Sequence, residues 1–245
     1  MQAERAPSKP DVAGLMFQAL AAITLGVFVY LIYFIFNHTP EAQEAAGGLA
    51  QKIFYFHVPA AYALYLAGVV CFIGSAAYLA KPTDARNALA RAGAEVAVVF
   101  GMMVLVSGPL WAKKAWGVYW TWDPRLTTLL LSVLIYLAIA VQRGFSGDGE
   151  AERKFAAALG VLGTVTLPIV HYAVRKWGGN HPTVITGSGR GLGDQAMYHA
   201  LGVGFLAMTL LALLLLWQRT RLEILEARAR SAEERLLGAG MIEEL

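Results

Sequence analysis

Five histidines are the side chains of this sequence best suited to hold a transition metal: His38, His57, His171, His181 and His199. Two of them stand on backbone that their neighbours stiffen. His57 precedes Val58-Pro59-Ala60, and proline is at ease in the first turn of a helix, where its missing N–H is not needed. His181 precedes Pro182, which pushes the residue before it into extended geometry; Trp177 lies four residues earlier. Between the two histidines runs WAKKAWGVYWTWDPR, from Trp111 to Arg125. This stretch carries Trp111, Trp116, Trp120 and Trp122 out of 6 tryptophans, with Lys113, Lys114, Arg125 and Asp123. Indole and phenol rings with one apolar and one wet side suit a membrane surface.

Two imidazoles and a shelf of flat rings suit a haem better than a lone ion. Haem iron takes two axial imidazoles, and its propionates would pair with Lys113, Lys114 or Arg125. A zinc site asks for three or four tightly spaced ligands, and here two distant histidines have no obvious third. His171 reads as hydrogen-bonded within the bundle, and His38 and His199 as bystanders. Asp123, followed by Pro124, has two readings: a cap for the next helix, or an outer acceptor for the metal site. Trp111 reads as an interfacial anchor.

These residues need a membrane scaffold. Of the 245 residues, 57% are apolar and 15% charged, and mean hydropathy is positive, which fits a polytopic membrane protein. A span needs about 20 mostly apolar residues, and six segments qualify: 12–36, 58–80, 89–110, 126–142, 155–174 and 195–217. The first is too long for a signal-peptide core, lacks an A-x-A site and is expected to be a span. The expected fold is therefore all-α, a six-transmembrane-helix bundle over residues 1–217 with an external tryptophan-rich loop, 111–125. Lys52, Lys113, Lys114, Arg125, Arg175, Lys176 and Arg190 fall on one side. The remaining Lys and Arg, out of 20, fall on the side of the termini. By the positive-inside rule the termini are cytoplasmic, and the aromatic shelf faces outward.

The net charge of +3 is spread between apolar runs, so no basic patch exists for a nucleic acid. The single cysteine, Cys71, allows no internal disulfide and reads as a small buried residue. Gly187 to Gly193 lacks the GK[ST] ending of a phosphate loop and reads as linker. Glu95, inside the third span, is a functional candidate by position, or a partner of Arg91 one turn back. Leu222, Leu225, Ala229, Ala232 and Leu236 form a 3,4-spaced stripe. Residues 218–245 are thus expected to be a cytoplasmic amphipathic helix, resting on membrane lipid or docking a partner.

Trp116-Gly117-Val118-Tyr119-Trp120-Thr121-Trp122-Asp123 matches the WGxxWxWD signature of haem-handling, or WWD-domain, proteins. With the HVPAA segment at 57–61 and LPIVHY at 167–172, the chain resembles the cytochrome c maturation protein C family, also called haem exporter protein C, from about Phe17 to Trp217. The resemblance implies a non-enzymatic inner-membrane protein that presents haem b at the outer face. It implies delivery to a periplasmic haem chaperone, cytochrome c maturation protein E, through one exposed haem edge. It also implies work beside the ABC transporter subunits, proteins A and B, and a small single-span subunit, protein D. The family's axial histidines map onto His57 and His181, and its aromatic motif onto Trp116, Gly117, Trp120, Trp122 and Asp123. Tyr119 stands where members often have tryptophan, and a single Trp177 where relatives often have two. Two other classes compete. A b-type cytochrome or redox subunit would place histidine pairs at two depths. A secondary transporter of a small solute would place broken helices near the midplane.

Overall fold

The computed structural model describes residues 12–44, 47–145, 149–181 and 192–239. Arg5, Lys9, Pro182, Arg190 and residues 187–191 lie outside the described residues. Within them stand six helices long and apolar enough to cross a membrane. They are α1 (Val12–His38), α2 (Phe54–Ala80), α3 (Asp84–Trp116), α4 (Pro124–Phe145), α5 (Glu150–Trp177) and α6 (Gln195–Gly238). Helices are what hydrocarbon permits, because every backbone polar group must be satisfied inside the segment. The chain is an all-helical, multi-pass membrane protein.

The spans fall where the apolar runs are, but several helix ends do not: α3 and α5 each start five residues early, at Asp84 and Glu150. α2 starts at Phe54, not at 58, because a 3₁₀ turn, Gly48–Ile53, passes directly into α-geometry at Phe54. His57 is therefore already in the first turn, and Pro59 sits inside the helix. The Tyr55 carbonyl that Pro59 cannot bond faces α6, where a Cβ on Gly204 would come within 2.5 Å of it. α3 runs on through Trp116, since Trp, Ala and Lys all tolerate a helix. It stops at Gly117, whose φ of +78° gives a left-handed cap with its N–H on the Lys113 carbonyl at 3.1 Å. Only 117–123 of the tryptophan-rich stretch is non-helical. α6 continues through Trp217 without a break as far as Gly238.

α2 is the central helix and packs against α3, α5 and α6; α4 lies against α3 and α5, and α1 against α6. The α2–α3 seam is unusually close. A Cβ on Gly74 would lie 2.4 Å from the Ala90 nitrogen, and one on Gly93 2.4 Å from the Cys71 nitrogen. Small residues let helix backbones touch in a membrane, where apolar area alone gives no preference for protein over lipid. Gly93→Ala is expected to part the seam at a cost of about 1–3 kcal/mol. A lowered thermal midpoint in detergent would register it, and an unchanged midpoint would contradict the seam.

At the end of the bundle away from the tryptophan-rich stretch 111–125, Glu95 does reach Arg91 (3.0 Å), and it reaches Arg219 as well (3.0 Å to Nη2). Arg91 and Arg219 also hold Glu223 of α6, at 3.1 and 2.5 Å. The four side chains form a closed square of two cations and two anions that straps α6 to α3. An intramembrane carboxylate that looked like a functional candidate is here part of an ion-pair network.

Candidate ligand-binding site

The α1–α2, α3–α4 and α5–α6 connections gather at one end of the bundle around a cavity of about 460 Å³. That lies within the ~300–1,000 Å³ of ordinary small-molecule and cofactor pockets. Its apolar wall comes from Tyr62 and Tyr65 of α2, Val104, Trp111 and Trp116 of α3, Trp120, Leu129 of α4, Val170 of α5 and Phe205 of α6. His57 and His181, far apart in sequence, both line it. So do Arg125, His171 and Arg175, while no carboxylate does among the described residues.

His57 is held from one side. Its Nδ1 lies 2.8 Å from the Ser107 hydroxyl, which itself donates to the Met103 carbonyl at 2.6 Å. A serine has one proton to give, and Met103 receives it. Nδ1 of His57 must then be the donor, and Nε2 keeps its lone pair for a metal. Gly108 makes room for the ring: a Cβ there would lie 3.1 Å from Cε1 of His57.

His181 is held through Asp123 and Arg125. Asp123 is buried, with one oxygen accepting the Arg125 N–H at 2.8 Å, which caps α4 behind Pro124. Its other oxygen accepts the backbone N–H groups of Asn180 (2.7 Å) and His181 (3.4 Å). The carboxylate thus ties the start of α4 to the segment that carries His181. Gly179 is required there: its φ is +138°, and a Cβ would come within 2.1 Å of the Asp123 oxygen. Arg125 donates from Nη1 to Nδ1 of His181 at 3.1 Å and from Nη2 to the His171 carbonyl at 3.0 Å.

The aromatic stretch divides into two parts. Trp111, Trp116 and Trp120 face the cavity, with Trp111 and Trp116 edge-to-face at 5.2 Å. Trp111, expected as an anchor, is fixed at the wall by a bond from its indole N–H to Gln51 at 3.2 Å. Trp122 stacks edge-on against Trp120 at 5.9 Å but is 75% exposed, and Tyr119 is exposed too. Gly117 ends α3. Lys113 and Lys114 are not on the wall: Lys113 donates to the Gly117 carbonyl (2.9 Å) and sits over the Tyr119 ring, and Lys114 lies 3.9 Å from Glu44. Arg175 and His171 are wall residues that the sequence did not single out for the site. Their one-turn spacing on α5 was the available signal. His199 instead bonds Tyr30 at 2.9 Å, and His38 packs on Phe34, both away from the cavity.

The wall fits a planar, metal-bearing anion. The indole N–H of Trp120 and Nε of Arg125 are buried with no hydrogen-bond partner among the described residues. Both are donors, and the cavity offers no carboxylate to receive them. A six-helix membrane bundle with aromatic walls, two histidines lining one cavity and unsatisfied donors defines a membrane protein that handles such a ligand. The chain belongs to the haem exporter protein C family, whose model matches residues 5–235. It is similar to the haem exporter protein C of Bradyrhizobium diazoefficiens, 34% identical over 216 residues, 87% of this chain and 81% of that one. The Rhodobacter capsulatus protein of the same name is 30% identical over 220 residues, 88% and 89% of the two chains. That of Escherichia coli K12 is 32% identical over 136 residues, 55% of each. Membership makes this a haem-handling membrane protein of cytochrome c maturation, not an enzyme.

Proposed function

We propose that the chain holds haem b in this cavity at the outer face of a bacterial inner membrane and passes it to the periplasmic haem chaperone. Haem supplies an iron that accepts two axial nitrogens and carboxylates that accept cationic donors. His57 and His181 serve as the iron ligands. Trp116 and Trp120, with Trp111, form the flat wall; Gly117, Tyr119, Trp122 and Asp123 shape the connection. Arg125 and Arg175 meet the carboxylates inside, and Lys113 and Lys114 add positive charge on the same connection. The observation that carries this reading is the convergence of two histidines from distant segments on one aromatic cavity that no carboxylate lines among the described residues.

The excess of Lys and Arg on the side of the termini supports cytoplasmic ends and a periplasmic site. The exposed rings of Tyr119 and Trp122 offer the chaperone an apolar landing next to the wall. Family membership supports work beside the ABC transporter subunits, proteins A and B, and the single-span protein D. The test uses the full chain in lipid nanodiscs loaded with haem. A low-spin, six-coordinate spectrum and time-dependent loading of the purified chaperone are expected. The same spectrum from a chain lacking both histidines would overturn the reading.

A further inference from the structure

The two histidines are not equivalent. His57 keeps Nε2 available because Ser107 accepts from its Nδ1. His181 is set the opposite way. A guanidinium has donors only, so the Arg125 Nη1 that lies 3.1 Å from Nδ1 of His181 makes that nitrogen an acceptor. The proton of the neutral ring is then on Nε2. Neither nitrogen of His181 is open to a metal in this state: Nδ1 receives Arg125, and Nε2 carries hydrogen.

We infer that Arg125 is a latch on the second axial ligand, released by the carboxylate of the incoming ligand. The inference rests on the haem reading above. Three observations carry it. Arg125 reaches His181 and the His171 carbonyl with its two terminal nitrogens, yet its buried Nε has no partner among the described residues, so its present seat is incompletely satisfied. Among the described residues the cavity wall holds no acidic side chain, and the oxygens of neighbouring Asp123 are already taken by backbone N–H groups, so an entering carboxylate is the competing acceptor. A charge-assisted pair is roughly twice as strong as a bond to a neutral acceptor. The backbone that bears His181 is anchored separately by Asp123, so the ring stays in place when Arg125 leaves.

The proton balance is simple. When Arg125 turns to a carboxylate, one proton leaves Nε2 of His181 and one arrives on Nδ1. The ring remains neutral and Arg125 remains cationic. Capture is then ordered, with His57 binding first and His181 second, and only for a ligand with a carboxylate to offer. Reversal returns Arg125 to His181 and weakens the hold on the cargo, which suits hand-over.

The experiment compares haem with haem dimethyl ester, which has the same ring and iron but no carboxylate. Wild-type chain is expected to give a low-spin, six-coordinate spectrum with haem and to lose it for a five-coordinate, high-spin one with the ester. Arg125→Ala is expected to restore six-coordination with the ester. Identical six-coordinate spectra of wild type with both ligands overturn the latch, and so does an Arg125→Ala chain that stays five-coordinate with the ester. If Arg125→Ala does not fold, the wild-type comparison still decides. In the haem-free wild type, ¹⁵N-histidine spectra read against His181→Ala should show Nδ1 of His181 unprotonated; a protonated Nδ1 overturns the latch as well. Failure of the haem reading itself looks different: haem spectra then ignore removal of both histidines.

Discussion

His57→Ala is expected to strip the purified chain of haem, whereas Ser107→Ala is expected to leave haem bound but more weakly. The reason lies in how His57 is prepared. Its ring is placed in the first turn of α2, given space by Gly108, and fixed in one tautomer by a serine whose only proton is committed to Met103. On the proposed reading, removing the ring removes the one ligand that is ready before anything binds. Removing the serine hydroxyl leaves the ligand but frees its tautomer and orientation. Loss of such an outer partner typically costs roughly 10–100-fold in metal affinity, and Ser107→Ala is expected in that range. Haem content after purification and a titration with free haem separate the two variants. Equal retention by His57→Ala and wild type would remove His57 from the site.

Asp123→Ala is expected to unseat His181 and abolish chaperone loading while His57 still binds. The carboxylate serves three N–H groups at once. One belongs to the α4 cap, whose loss costs about 1 kcal/mol. The others belong to Asn180, which is exposed, and His181, which is half-buried, and each such hydrogen bond contributes about 0.5–1.5 kcal/mol. The segment 179–181 has no regular structure of its own to hold it once these bonds are gone. The readout is a five-coordinate spectrum in place of a six-coordinate one, with a modest drop in thermal midpoint. Asp123→Asn keeps one acceptor oxygen and is expected to fall between. If Asp123→Ala keeps six-coordination, the carboxylate does not position His181.

Much of this was readable from residue order. Apolar run lengths gave all six spans, because hydrocarbon thickness and helix rise fix how long a span must be. Where a helix ends is a different matter. The membrane boundary near Trp217 is not a helix boundary, since Arg, Leu, Glu and Ala after it favour helix equally well. At the other end, Gly117 stops α3, not the change from aliphatic to aromatic residues. The histidines before proline, together with Trp116, Trp120 and Arg125, were visible as candidates and come together on one wall. The wall position of Trp111, the roles of Ser107 and Arg175, and the backbone N–H groups that Asp123 accepts were not, because each depends on a partner far away in sequence. Lys113 and Lys114 show the reverse. Their charge is plain in the sequence, but the local carbonyl of Gly117 and the side chain of Glu44 lie nearer to them than the cavity does.

The glycine seam between α2 and α3 gives the site a mechanical asymmetry. Where two backbones touch, as at Gly74 and Gly93, no layer of side chains remains between them to shear or compress. Further along the same two helices, His57 on α2 and its serine on α3 are joined directly, Nδ1 to Oγ at 2.8 Å. His181 stands beyond the end of α5 on an irregular segment, tied to Asp123 and Arg125. The cavity works as a vice with one jaw cast into the frame and one on a pivot. A docking partner that presses on this end of the bundle is expected to move the pivoted jaw and leave the other where it is.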